Sequence, residues 1–275
     1  MNKISQTLPC QADTIFSPFK AEEFEHALRC VADAGFTGVE LAVARPQDVD
    51  VGRLNHQVTA CGLTITTLST GQAYGLYGVC LSSPDEETRK TAVDYVKGHI
   101  DVAAGTGRPA VTIGLLRGKS GERRAFLERL KKSLFPCLEY AEGRGVTLQI
   151  EPINKSETTL LNSTFEVLEF LDELGSPDNL GLLYDTYHSH LEDGDIKRAI
   201  EAAAGKITNV HLADSHRGLP GYGDIDFKLV FALLRKGGYA GAYALETLSV
   251  PSADFVRENG FKSVMKFFQS DGVPD

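Results

Sequence analysis

The chain has 275 residues, enough to bury one large core, and its 37 acidic residues against 28 basic ones leave a formal net charge of -9. That balance argues against a surface built to neutralise nucleic-acid phosphates or anionic lipid, so the expected partner is a small molecule, with no nucleic acid and no membrane. Five cysteines without C-x-x-C spacing suggest neither a disulfide framework nor a cysteine zinc site, and with a polar N-terminal stretch and no bilayer-length apolar run the expectation is a cytoplasmic protein.

Short apolar runs predict strands at residues 3–8, 38–43, 63–69, 110–115, 146–150, 180–184, 207–212 and 242–245. Most are continuous rather than alternating, as parallel strands covered on both faces should be. Amphipathic stretches lie between them at residues 21–34, 48–61, 85–105, 121–142, 164–174, 196–204, 227–236 and 253–269. Ser163 with Glu166 three residues later reads as a capping box, and Gly35, Gly62, Gly143, Gly175, Gly205 and Gly237 stand where C-terminal caps belong. Eight strand-then-helix units predict an α/β fold, a (β/α)8 TIM barrel forming a single domain over residues 1–275, with a doubly wound open sheet as runner-up.

Four of the predicted strands end on a group able to hold a cation. Glu151 follows the fifth strand and is held at its rim by Pro152, which cannot continue a ladder; Asp185 ends the sixth strand, His211 lies near the end of the seventh, and Glu246 ends the eighth. Each residue alone has an ordinary alternative. Asp185 also suits a cap on the segment that follows it, His188, three residues on in an expected loop, an ordinary surface position, and His211 a satisfied core histidine. In a barrel the four strand ends converge, and a carboxylate buried without a partner costs several kcal/mol, so a shared cation is the economical reading. Two Glu, one Asp and one His form a hard, oxygen-rich set suited to Mn2+ first, with Mg2+, Co2+ or Zn2+ as alternatives. Glu40, inside the second strand, reads as a supporting or packing charge, and His190 as a surface residue. Gly221 and Gly223 do not complete a dinucleotide fingerprint, since the third glycine and the strand-to-helix setting are missing. The run from Gly218 to Gly223 is expected to be flexible.

The segments E-P-x-N-K-x-E at residues 151–157, D-T-Y-H at residues 185–188 and H-L-A-D-S-x-R at residues 211–217, together with Glu246, resemble the xylose isomerase-like barrel superfamily. Within it the resemblance is to ketose 3-epimerases and hydroxypyruvate isomerase-like enzymes, and it extends over nearly the whole chain. It implies that Glu151, Asp185, His211 and Glu246 are the metal ligands, that Glu151 and Glu246 are also the acid/base pair, and that Glu157, His188 and Arg217 hold the substrate. The implied reaction is epimerisation or isomerisation of a carbohydrate or short keto acid, by proton abstraction next to a carbonyl through a cis-enediolate. A homodimer or homotetramer is the implied assembly. Two departures bear on which sugar is taken: Lys155 stands where the pattern commonly has Arg, and the chain has no Trp, leaving Phe16, Tyr74 or Tyr77 to flank the mouth from loops. Inosose dehydratase-like chemistry could use the same groups. An apurinic endonuclease-like role lacks the extra histidines at the third and fourth strand ends, and a non-catalytic binding barrel would have no need of both glutamates.

Overall fold

Eight parallel strands close on themselves in the computed structural model, which describes residues 3–268. They are β1 (Ile4–Pro9), β2 (Gly38–Ala42), β3 (Thr64–Ser69), β4 (Ala110–Ile113), β5 (Leu148–Ile150), β6 (Leu180–Asp185), β7 (Ile207–Leu212) and β8 (Ala242–Leu245). Each pairs with its sequence neighbours, and β8 returns to β1 through Tyr243 opposite Ile4, which excludes the open doubly wound sheet. Strands β1, β2 and β6 are buried at every residue, as parallel strands between a filled interior and an outer layer of helices must be.

The described helices are α1 (Phe24–Asp33), α2 (Val51–Ala60), α3 (Gly71–Tyr77), α4 (Glu86–Gly105), α5 (Arg123–Glu142), α6 (Thr164–Glu173), α7 (Thr186–Glu192), α8 (Ile196–Ala202), α9 (Phe227–Lys236) and α10 (Ala253–Phe268). Gln269, the expected end of the last helix, lies outside the described residues. Asp50, Asp85, Asp195 and Asp226 cap their helices by accepting a first-turn N–H, which supplies one of the partners that a helix start lacks. At α6 the expected capping box is half formed. Ser163 accepts from the Glu166 N–H at 3.2 Å, but Glu166 accepts from the Asn162 N–H at 2.7 Å rather than from Ser163. Gly143 and Gly237 cap their helices with negative φ, and the left-handed turn falls instead on Gly145 and Gly238.

Two helices, α3 and α7, form where loops were expected. Seven residues make about two turns, too short for an apolar stripe to show in the sequence. The fourth strand stops at Ile113, two residues early, because Gly114 leaves the extended conformation and starts a 3-10 turn at Leu115–Arg117. The fully buried Arg117 guanidinium then donates to the carbonyls of Gly114, Leu160 and Leu161, tying the loop after β4 to the loop after β5. No described helix is long and apolar enough to cross a membrane.

Candidate active site

Parallel register brings the four strand-end residues together. Glu151 directly follows β5, Asp185 closes β6, His211 is the next-to-last residue of β7, and Glu246 directly follows β8. Asp185 pairs with His211, and His211 with Ala244, so these positions share one level of the barrel. Each of the four residues offers one ligand atom, and all four atoms lie within 4.8 Å of one another. From His211 Nδ1 the distances are 3.3 Å to Glu246 Oε2, 3.4 Å to Glu151 Oε1 and 3.6 Å to Asp185 Oδ2.

The donor atoms themselves fit a cation. His211 Nδ1 and Asp185 Oδ2 are buried without a hydrogen-bond partner, an arrangement that ordinarily costs about 1–3 kcal/mol for each group. Two of the three spacings from His211 Nδ1, 3.3 and 3.4 Å, fall in the roughly 3.0–3.4 Å that separates neighbouring ligands when each sits about 2.1 Å from one divalent ion, and the third, 3.6 Å, is slightly longer. Asp185 turns out to do both things its sequence context suggested. Oδ1 caps α7 by accepting from the N–H groups of Tyr187 and His188 at 2.8 and 3.1 Å, which leaves Oδ2 for the cluster.

Charge crowding points the same way. Burial, reinforced by the neighbouring Glu246 and Asp185, pushes the Glu151 carboxyl up to about 7. Burial would also strip the proton from His211, but the carboxylates of Glu40 and Glu246 outweigh it and hold that imidazole well above its ordinary value. For Asp185 and Glu246 burial likewise opposes ionisation. The positive groups around them win, and both stay below the usual carboxylate range.

Above the cluster, Arg217 is the organising cation. Its Nη2 donates to Glu246 Oε2 at 2.6 Å, its Nη1 lies 3.0 Å from His188 Nε2, and its guanidinium carbon lies 4.5 Å from the Phe16 ring and 4.8 Å from the Tyr187 ring. Burial pushes His188 down to about 4, with the Arg217 charge adding to that effect, so the ring is neutral. Asn154, which the sequence reading missed, donates to His188 Nδ1 at 2.9 Å and to Glu157 Oε1 at 2.9 Å. One amide thereby sets the spacing of two expected substrate-binding groups.

The Gly-rich run after β7 is clasped rather than flexible. The buried Asp214 carboxylate accepts from the N–H groups of Ser215, Gly221, Gly223 and Ile225 at 2.7–3.1 Å. A Cβ at Gly223 would lie 2.5 Å from Asp214 Oδ1, so glycine is required for that close approach. Arg217 itself adopts φ 60, unusual for a side-chain-bearing residue, and is pinned by its own N–H to Asp214 O and by its carbonyl to the Leu248 N–H.

A cavity of about 210 Å3, small for a ligand site, takes in Thr7, Phe16, Thr70 and Thr112. Glu151, Glu157, His188, Arg217 and Glu246 all face it. A larger groove of about 610 Å3 runs along the outer wall by α1 and α2 and shares none of these residues. Of the three aromatic candidates for the mouth, only Phe16 lines the cavity. Tyr74 and Tyr77 belong to α3 and do not line it, and Tyr77 is exposed with its ring 6.2 Å from that of Tyr95. Lys155 pairs with Glu192 at 2.9 Å on the surface, and His190 is exposed as expected. The ends of β3 and β4 carry no histidine.

The xylose isomerase-like TIM barrel family model matches residues 28–270. The L-ribulose 3-epimerase of Mesorhizobium japonicum is 34% identical over 243 residues, covering 86% of this chain and 78% of that protein. The hydroxypyruvate isomerase of Escherichia coli is 31% identical over 229 residues, covering 79% of this chain and 83% of that protein. In fold, the crystal structure of D-allulose 3-epimerase from Methylomonas sp. in complex with D-allulose matches with a TM-score of 0.82 at 22% identity, over 98% of this chain and 97% of that one.

Proposed function

The chain belongs to the xylose isomerase-like TIM barrel family as an isomerase-class enzyme, and we propose that it is a divalent-metal-dependent ketose epimerase or isomerase working through a cis-enediolate. The observation that carries this reading is the set of four ligand atoms within 4.8 Å of one another, two of them on Glu151 and Glu246, which also line the cavity. A cation held by Glu151, Asp185, His211 and Glu246, with Mn2+ the first choice, would draw charge from neighbouring carbonyl and hydroxyl oxygens and so acidify the C–H beside them.

The side chains supply the rest. One glutamate accepts the proton from carbon, the C–H electron pair moves into the enediolate, and a glutamate returns a proton to complete the cycle. Glu151 and Glu246 stand on β5 and β8, with β6 and β7 between them, so their carboxyls approach the cavity from different sides. That arrangement favours return of the proton to the same carbon from the opposite face, which is epimerisation. Arg217 stays charged throughout and donates to a substrate oxygen without losing its own proton. Neutral His188 and the Glu157 carboxylate orient hydroxyls, and Phe16 covers Arg217 from solvent.

The test is turnover in deuterated water with Mn2+, offering L-ribulose, other ketopentoses and ketohexoses, and hydroxypyruvate. Deuterium at C3 with appearance of the C3 epimer is the expected result, whereas label at C1 or C2 indicates aldose–ketose isomerisation and loss of water a dehydratase. Turnover that survives both chelation and Glu246→Gln would overturn the reading.

A further inference from the structure

We infer that Glu40 is a positioning residue for the metal centre, acting through His211. The inference rests on the metal reading above and concerns which nitrogen of His211 is free to bind. Glu40 stands on β2, across the barrel interior from β7, and is wholly buried. Its Oε2 accepts from His211 Nε2 at 2.8 Å, with Asn209 Nδ2 from the same strand 3.5 Å away.

The imidazole that binds a metal is neutral and carries one N–H, and here two sets of acceptors compete for it. Three carboxylates face Nδ1 at 3.3–3.6 Å, and one faces Nε2 at hydrogen-bond distance. If the proton moved to Nδ1, the nitrogen facing the cluster would have no lone pair to offer. The Glu40 bond keeps the proton on Nε2, leaves Nδ1 as the ligand atom, and fixes the plane of the ring. A packing role explains less. Glu40 Oε1 has no hydrogen-bond partner, so an apolar residue of similar size would fill the same space with one fewer orphaned polar atom.

The experiment compares wild type, Glu40→Gln, which keeps an acceptor oxygen, and Glu40→Leu, which keeps the volume without one. Mn2+ binding is measured by calorimetry on chains whose fold is checked by circular dichroism. Affinity is expected to fall about 10- to 100-fold in Glu40→Leu and less than about tenfold in Glu40→Gln. Nitrogen-15 histidine spectra of the Mg2+-loaded protein provide the second readout. A hydrogen-bonded Nε2–H for His211 is expected in wild type and Glu40→Gln, and its loss in Glu40→Leu. If Glu40→Leu does not fold, the wild-type and Glu40→Gln spectra decide, and a His211 protonated at Nδ1 overturns the inference. Unchanged Mn2+ affinity in a folded Glu40→Leu overturns it alone, whereas no Mn2+ binding by wild type overturns the metal reading and this inference with it.

Discussion

The two halves of the barrel share one architecture and divide the chemistry unequally. From β5 to β8, every strand leads into a cluster residue at its C-terminal end, and the segments that follow add Glu157, His188 of α7 and Arg217. From β1 to β4, the cavity wall is Thr7, Ala42, Ser69, Thr70 and Thr112, all neutral, while the buried charge Glu40 lies within β2 and points inward to His211. Charge concentrated on one side holds and polarises the reacting oxygens. A neutral opposite wall leaves shape and hydroxyl contacts to choose the substrate.

If reactivity belongs to the second half, the largest effects must come from there. Glu246→Gln should lower kcat by about 10^2- to 10^4-fold with the fold intact, and activity surviving in steady-state assays would break the division. Chelation should take turnover to background, and restoring Mn2+ at about a hundred times its Kd should add about 2.7 kcal/mol of stability in calorimetric melts. Asp214→Asn places an NH2 opposite N–H donors, so it should cost about 1–3 kcal/mol in denaturant melts and raise KM as the loop that carries Arg217 loosens. Phe16→Ala crosses between the halves, because it removes one of the two rings beside Arg217. A KM increase of about threefold to tenfold is expected, with kcat changed less. On the rim, Lys155→Ala should leave kcat/KM within about twofold of wild type, since its partner Glu192 lies outside the cavity.

The strands of both halves were legible for the same reason: parallel strands buried on both faces must be apolar throughout, which leaves continuous runs in the sequence. Strand-end acids were legible because a charge just beyond such a run is conspicuous. The clasp by Asp214 was not, because its four partners are backbone N–H groups and carry no side-chain signature. Asn154 was given no role because its partner His188 stands on α7, far along the chain, and only the fold brings the two together. That helix was itself hidden by its length, and reading residues 186–192 as a loop separated His188 from the helix start that orients it.

What the amino-acid order alone determined is the local set: eight apolar runs, the helices between them, and which chemical groups stand where each run stops. Those features depend on neighbours within a few residues, through periodicity, capping and the missing N–H of Pro152. Only the closed barrel decided how the groups meet. Register set Asp185 beside His211, the pairing of β7 with β8 brought Glu246 next to Arg217, and the space across the interior joined Glu40 of β2 to His211 of β7, more than 170 positions apart in the chain. Such contacts arise from packing between distant segments, and that is why a buried glutamate that reads as a packing charge becomes, in the fold, the partner of a candidate metal ligand.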